Sequence, residues 1–254
     1  MSGQGRGVIA RIIASPVRLV AVLTATAILL SLGNWQLHRL DWKRDLIAKS
    51  EARVASAPLP FGEVFTAWRD GADQDYQPVA LKGVYRHDAE AHVFGTYDGR
   101  PGYYVFTPLV LSRAQDDASR VVPGVVYVNR GFAPQTFKDA GAREEGLVSG
   151  VVSVAGLFRA PETTGGLAGA LRPANDLNAN VWHIRDPAMF AADAGLEAAP
   201  VYIDSFGTEN NAAWPKGGVT RLSFSNRHFE YALTWFGLAG ALWAVFLAYA
   251  FTRR

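Results

Sequence analysis

The stretch LVAVLTATAILLSLGNWQL, Leu19 to Leu37, carries no charge, and neither does YALTWFGLAGALWAVFLAYAF, Tyr231 to Phe251. A hydrocarbon core about 30 Å thick is crossed by roughly 20 apolar helical residues, and both runs meet that length. They lie near the two ends of a chain of 254 residues. About 190 residues of ordinary globular composition separate them, enough for one domain with a core of its own. The expected architecture is α+β. Two transmembrane helices, 19–37 and 229–251, bracket a β-rich domain, 38–228, with short tails at 1–18 and 252–254.

Composition excludes several function classes. The net charge is +2 and no Lys/Arg-rich cluster appears, so nucleic acid is not an expected partner. The chain has no cysteine, which excludes disulfides, thiolate metal sites, a cysteine nucleophile and a thiol-based copper carrier. Arg6, Arg11 and Arg18 precede the first run, as basic residues precede a secretory signal. The run is longer than the roughly 7–15 apolar residues of such a signal, and no small-residue cleavage site follows. It reads as an uncleaved anchor. Basic residues flank both faces of the membrane: Arg6, Arg11, Arg18, Arg253 and Arg254 on one, Arg39, Lys43, Arg44, Lys49, Arg53, Arg221 and Arg227 on the other. Charge asymmetry therefore leaves the sidedness open.

Past the first run, Trp35, Arg39, Trp42 and Leu46 recur at helical spacing, which predicts one helix continuing to about Ala55, where Pro58 and Pro60 stop it. The texture then changes. QPVALKGVY (Gln77–Tyr85), Glu90–Tyr97, GYYVFTPLVL (Gly102–Leu111), GVVYVN (Gly124–Asn129) and LVSGVVSVAGLF (Leu147–Phe158) read as strands. Turn signals separate them at Asp98–Gly102, at Pro123-Gly124 and at Gly131–Pro134. Short strands at this spacing predict a sandwich or small barrel. Pro161–Asn180 reads as a long loop. Asp186-Pro187 reads as a capped helix start, with Gly195 closing the helix, and Pro200–Ser205 and Thr220–Phe224 as late strands.

Few residues carry recognisable chemistry. Gly165-Gly166-Leu167-Ala168-Gly169 lacks the ending of a phosphate-binding loop, and Ser205 lies outside any G-x-S-x-G elbow, so an enzymatic active site is not expected. His87 and His92 have no metal-ligand spacing, and His183 reads as structural. His228 stands apart. With Tyr231 and Trp235 it forms a column at i, i+3 and i+7 where the chain enters the second apolar run. Aromatic residues belong at membrane interfaces on general grounds. An imidazole among flat aromatic faces is also the pattern of an axial haem ligand. Gly237, Ala241, Ala244 and Ala248 repeat at close-packing spacing along the second run, with Ala21 and Ala25 on the first, which predicts a seam between the two helices or toward a partner protein. Pairing the helices would bring Trp35, His38 and Arg39 near His228, Tyr231 and Trp235.

Five ordered segments carry a family resemblance. LGNWQLHRLDWK (Leu32–Lys43) resembles the L-G-x-W-Q-x-x-R-x-x-W-K segment of the Surfeit locus protein 1 family. PVALKG (Pro78–Gly83), VNRGFAP (Val128–Pro134) and NVWHIRD (Asn180–Asp186) are similar to its P-V-x-x-x-G, V-N-R-G-[FW]-x-P and N-x-W-x-x-R-D segments. NRHFEYALTWFGL (Asn226–Leu238) is similar to its N-x-H-[LF]-x-Y-x-x-T-W-[FY]-G-L segment.

The resemblance implies an assembly factor for haem–copper cytochrome oxidase, acting on the haem-bearing subunit, with haem a synthase a candidate further partner. It implies a multi-pass protein of the inner (cell) membrane, with both termini cytoplasmic and the domain periplasmic. Bacterial members imply transiently bound haem a, with the histidine at the entrance of the second helix as iron ligand; here that is His228. Trp35, Arg39, Arg130 and Trp182 match motif positions whose role, binding or bracing, the resemblance leaves open. Arg39, one turn beyond Trp35, is the expected partner of a haem propionate, so the expected haem site is His228, Tyr231, Trp235, Trp35 and Arg39. The alternative is a scaffold that steadies an oxidase assembly intermediate and binds no haem.

Overall fold

The structure, a computed structural model, describes residues 16–112, 122–162, 169, 171–207, 213–219 and 227–252. The chain divides into two compact units, Met1–Lys49 with Ser223–Arg254, and Ser50–Leu222. Among the described residues its α-helices are α1 (Pro16–Val54), α2 (Phe61–Arg69), α3 (Pro187–Asp193) and α4 (His228–Thr252). Its strands are β1 (Leu59–Pro60), β2 (Pro78–Tyr85), β3 (Ala91–Tyr97), β4 (Arg100–Leu111), β5 (Val125–Pro134), β6 (Val151–Arg159) and β7 (Tyr202–Ser205).

The first unit holds α4 and most of α1. At 39 residues α1 is about 58 Å long, well beyond the hydrocarbon thickness it would cross. Both helices are long and apolar enough to span a membrane, and only 6% and 11% of their most apolar windows are buried within the protein. A core helix of a water-soluble fold would be covered by protein, so this low burial fits helices whose surroundings are lipid. The hydroxyls of Thr26 and Thr234 donate to the carbonyls of Val22 and Glu230 one turn earlier, at 2.7 and 2.9 Å, which satisfies them without water.

The two helices run antiparallel. Arg18 donates to the Tyr249 hydroxyl at 3.1 Å, Gly33 faces Phe236, and Gln36 meets His228. The seam on α1 is Gly33, Gln36 and Leu40, all buried at i, i+3 and i+7; on α4 it includes Ala232 and Ala239. The predicted stripe of Gly237, Ala241, Ala244 and Ala248 is not this seam: all four are exposed, as is Ala21. The rotation of α4 is set instead by a large-into-small contact. A Cβ at Gly33 would come within 2.5 Å of the Phe236 ring, so the ring occupies the notch that the glycine leaves.

The second unit is a closed barrel. The sheet order is β1-β2-β6-β7-β5-β4-β3, and an additional β2–β4 pairing joins β2, β6, β7, β5 and β4 into a five-stranded ring. Most neighbours are antiparallel, while β5–β7 and β1–β2 are parallel. Closure occurs where Gly83 of β2 lies against β4 in register with Leu111. A side chain there would overlap the Val110 carbonyl, so the strands approach this closely because position 83 has none.

Alternation along the strands builds two cores. Val79 and Leu81 of β2, Leu109, Val126, Val128, Val154, Phe158 and Ile203 fill the barrel, and Phe61, Val64 and Phe65 of α2 pack against them. The opposite faces of β4, β5 and β7 present Phe106, Tyr127 and Tyr202 to Phe190 of α3 and to Trp182. β5 is therefore buried on both faces, and its sequence is apolar apart from Asn129 and Arg130, which are buried with it.

Six of the strands read from the sequence correspond in order to β2–β7, while β1 has no counterpart in that reading; the remaining differences have local causes. Gly131–Pro134 is not a turn: β5 continues through it to Pro134. The register between β4 and β5 shifts between Tyr104 and Phe106, leaving an extra residue on β5, and Gly131 has φ of 115°. A glycine that reads as a turn is here a β-bulge. Leu147–Gly150 lies outside β6, because Gly150, with φ of 81°, turns the chain first. α2 went unpredicted, although Phe61, Val64, Phe65 and Trp68 follow helical spacing. α3 begins as read: the Asp186 carboxylate accepts from the Ala188 backbone N–H at 3.0 Å, Pro187 takes the first helical position, and Gly195 follows with φ of 64°. The predicted strand Thr220–Phe224 lies outside the described residues, as do 163–168 and 170 of the predicted loop.

Candidate functional site

Motif residues in the barrel are consumed by structure. The Asn129 side chain donates to Asp204 at 2.7 Å and accepts from the Gly131 backbone at 3.1 Å, which ties β5 to β7 and shapes the bulge. Asn180 accepts from the His92 backbone and the Trp182 indole and donates to the Glu90 carbonyl at 2.7 Å. Trp182 is buried against Phe190, with ring centroids 4.9 Å apart. Arg185 pairs with Glu162 and lies over the Tyr104 ring.

Arg130 enters a buried ionic cluster whose members no sequence spacing joins. Its centre is Glu90, whose side chain is 2% exposed, and Arg143 beside it is 0% exposed. Arg143 pairs directly with one Glu90 oxygen. The other oxygen accepts from Thr107 at 3.0 Å, faces His87 Nδ1 at 3.1 Å and lies 3.7 Å from Arg130. Arg130 also donates to the Gly146 carbonyl and lies over the Tyr85 ring. Burial opposes ionisation of Glu90, but hydrogen bonds from His87, His92 and Arg143, with the charge of Arg143, hold its carboxyl well below the usual carboxylate range. Burial depresses the pKa of Arg130, against the opposing pull of Tyr85 and Glu90. Arg130 and Trp182 therefore brace the fold.

A second polar region of the barrel is a pocket of about 490 Å³ lined by Tyr76, Tyr97, Asp98, Tyr104, Arg159 and Arg185. Its arginines are already matched: Arg159 with Asp75 and Asp204, at 3.1 and 3.0 Å, and Arg185 with Glu162. It presents no unmatched cation among its lining residues.

The helical unit contrasts with this. His228 is half-buried on the first turn of α4. Its Nδ1 lies 2.8 Å from the side-chain oxygen of Gln36. Among the described residues Nε2 has no hydrogen-bond partner. Tyr231, one turn on, is 52% exposed, and Trp235 is half-buried. On α1, Trp35 is 57% exposed. The Arg39 guanidinium stacks on Trp42, 3.8 Å from the ring centroid. That contact uses the flat face of the guanidinium and leaves its in-plane N–H donors able to meet an anion. His38 is exposed.

Of the five predicted site residues, all lie on the paired helices, and the hydrogen bond that joins the two motifs runs through a sixth, Gln36. It stood in the quoted segment directly after Trp35, three residues past Gly33 on the buried face. Its helical phase relative to Gly33 was the signal that could have found it.

Two apolar helices that pair around an imidazole, with a closed β-barrel between them in sequence, define a membrane-anchored barrel protein. Residues 23–240 match the model of the SURF1 family. The chain is 33% identical to Surfeit locus protein 1 of Xenopus tropicalis over 219 residues, covering 83% of this chain and 68% of that protein. It is 32% identical to the Homo sapiens protein of the same name, over 83% and 70% of the two chains. With a SURF1-like protein of Monosiga brevicollis it shares 30% identity over 89% and 86%. The chain belongs to the SURF1 family, whose membership implies a role in cytochrome c oxidase assembly.

Proposed function

We propose that this chain binds haem a through His228 and delivers or guards it during assembly of the haem-bearing subunit of cytochrome oxidase. One observation carries the reading: at the domain-side end of the helix pair stands a histidine with one nitrogen engaged and the other without a partner among the described residues. An imidazole nitrogen with an open lone pair is what haem iron takes as an axial ligand. Tyr231, Trp235 and Trp35 supply aromatic surface at the same end, and the in-plane donors of Arg39 suit a propionate. Haem a is cargo in this account. No bond within it is made or broken, and no acid–base pair is required.

The proposed setting is the inner (cell) membrane, with both termini cytoplasmic and the barrel periplasmic, as the family resemblance implies. Haem a synthase is a candidate donor and the oxidase subunit the recipient. The test is purification of wild type and His228→Ala from cells that make haem a, followed by visible spectra. Haem a with wild type and not with the variant is expected. Equal haem in both removes His228 as the ligand, and haem in neither favours a scaffold that binds none.

A further inference from the structure

We propose that Gln36 is a positioning residue that fixes the proton of His228 on Nδ1, so that Nε2 presents its lone pair. The inference rests on the haem reading above and deepens it. The atom facing His228 Nδ1 at 2.8 Å is the Gln36 side-chain oxygen. An amide oxygen only accepts, so the hydrogen between the two belongs to Nδ1. A neutral imidazole has one N–H, which leaves Nε2 unprotonated. In free histidine the preferred neutral tautomer is the opposite one, with the hydrogen on Nε2. Without Gln36 the lone pair would therefore shift toward Nδ1, the nitrogen nearer the main chain.

The helix seam holds the amide in place. Gln36 is buried between Gly33, whose notch takes Phe236, and Leu40, one turn further on. The rotation that seats Phe236 thus also sets the phase of Gln36 against His228. Histidines that ligate metals characteristically donate their other N–H to an acceptor, which fixes the ring and raises its basicity. A neutral amide does this without placing a further charge at membrane depth. It polarises the ring less than a carboxylate would, which suits a ligand whose cargo must leave.

The tautomer can be read without haem. Full-length protein labelled with 15N-histidine is placed in detergent at about pH 8.5, above the ordinary imidazole range. His228 is assigned by its loss in His228→Ala. Wild type is expected to show a protonated Nδ1 and an imine-type Nε2, and Gln36→Leu a majority of the reverse. Titration with isolated haem a is expected to show binding about 10- to 100-fold weaker in Gln36→Leu. Gln36→Glu is expected to keep the wild-type tautomer and bind haem a with a lower midpoint potential. Gln36→Met, similar in length and without an acceptor, serves if the leucine variant does not fold.

An unchanged tautomer in Gln36→Leu and Gln36→Met overturns the inference. So does haem a bound equally well, with the same spectrum, by wild type and those variants. Wild type that binds no haem a overturns the proposed function itself, and this inference with it.

Discussion

The barrel and the helix pair both carry family motif residues, but they use them in opposite ways. In the barrel the histidine His87 has both ring nitrogens at acceptors: Nδ1 at Glu90, 3.1 Å away, and Nε2 at the Val148 carbonyl, 3.0 Å away. Asn129 and Asn180 are similarly spent on neighbours, while Arg130 donates to the Gly146 carbonyl and keeps a buried Nη1 that makes no hydrogen bond among the described residues, held only at ion-pair distance from Glu90. His92 leaves Nδ1 without a partner among the described residues, but it is buried and offers no approach to a large ligand. In the helix pair His228 makes one hydrogen bond among the described residues and is half-buried. A residue that braces has its bonding groups enclosed within the fold, whereas one suited to binding keeps an open group within reach of the surface. Matching a family motif does not distinguish the two; the hydrogen-bond inventory of each side chain, taken with its burial, does.

That distinction can be broken most forcefully at Glu90. Replacing it with Ala leaves Arg143 and Arg130 buried without their anion. We expect a loss of about 3–5 kcal/mol in the unfolding free energy of the barrel, measured by denaturant titration of the full chain. The same cluster predicts an acid limit. Glu90 has a folded pKa below its unfolded value, so its contribution is fully present above about pH 4.3 and drains as pH falls toward the depressed folded value. Stability should drop with acidification below that point, and Glu90→Gln should flatten the slope. Gly131→Ala comes next. With φ of 115° and the Lys216 backbone against the site, we expect about 1–3 kcal/mol of destabilisation in the same titration.

In the helix pair the stability effects shrink. His228→Ala leaves the buried Gln36 amide oxygen without its donor and should cost less than about 3 kcal/mol by thermal unfolding in detergent. A loss as large as that of Glu90→Ala would make His228 a brace and erase the contrast. Arg39→Gln is the smallest expected effect. An exposed charge near a propionate is worth at most about 1 kcal/mol, so haem a affinity should weaken about five-fold or less, with stability unchanged.

Much of this was legible in the sequence, and the remainder follows a pattern. The helices, the barrel strands and the α3 cap are local signals: uncharged length, alternation, and Asp before Pro. Gly131 misled because a turn and a bulge ask the same of a glycine, and only pairing across the sheet separates them. Glu90, Arg143, Arg130 and Thr107 could not be joined beforehand, because their meeting depends on barrel closure and not on spacing. The alanine stripe misled for a similar reason: small residues permit close approach, but the fit of Phe236 over Gly33 selected the face. Gln36 was within reach, since Gly33, Gln36 and Leu40 share one side of α1.

The most direct measurement is a visible-absorption titration of purified full-length protein with isolated haem a, normalised to folded protein, for wild type, His228→Ala and Arg130→Lys. Saturable binding by wild type and by Arg130→Lys, lost in His228→Ala, is what the account predicts. Binding by His228→Ala with the wild-type affinity and spectrum would contradict it.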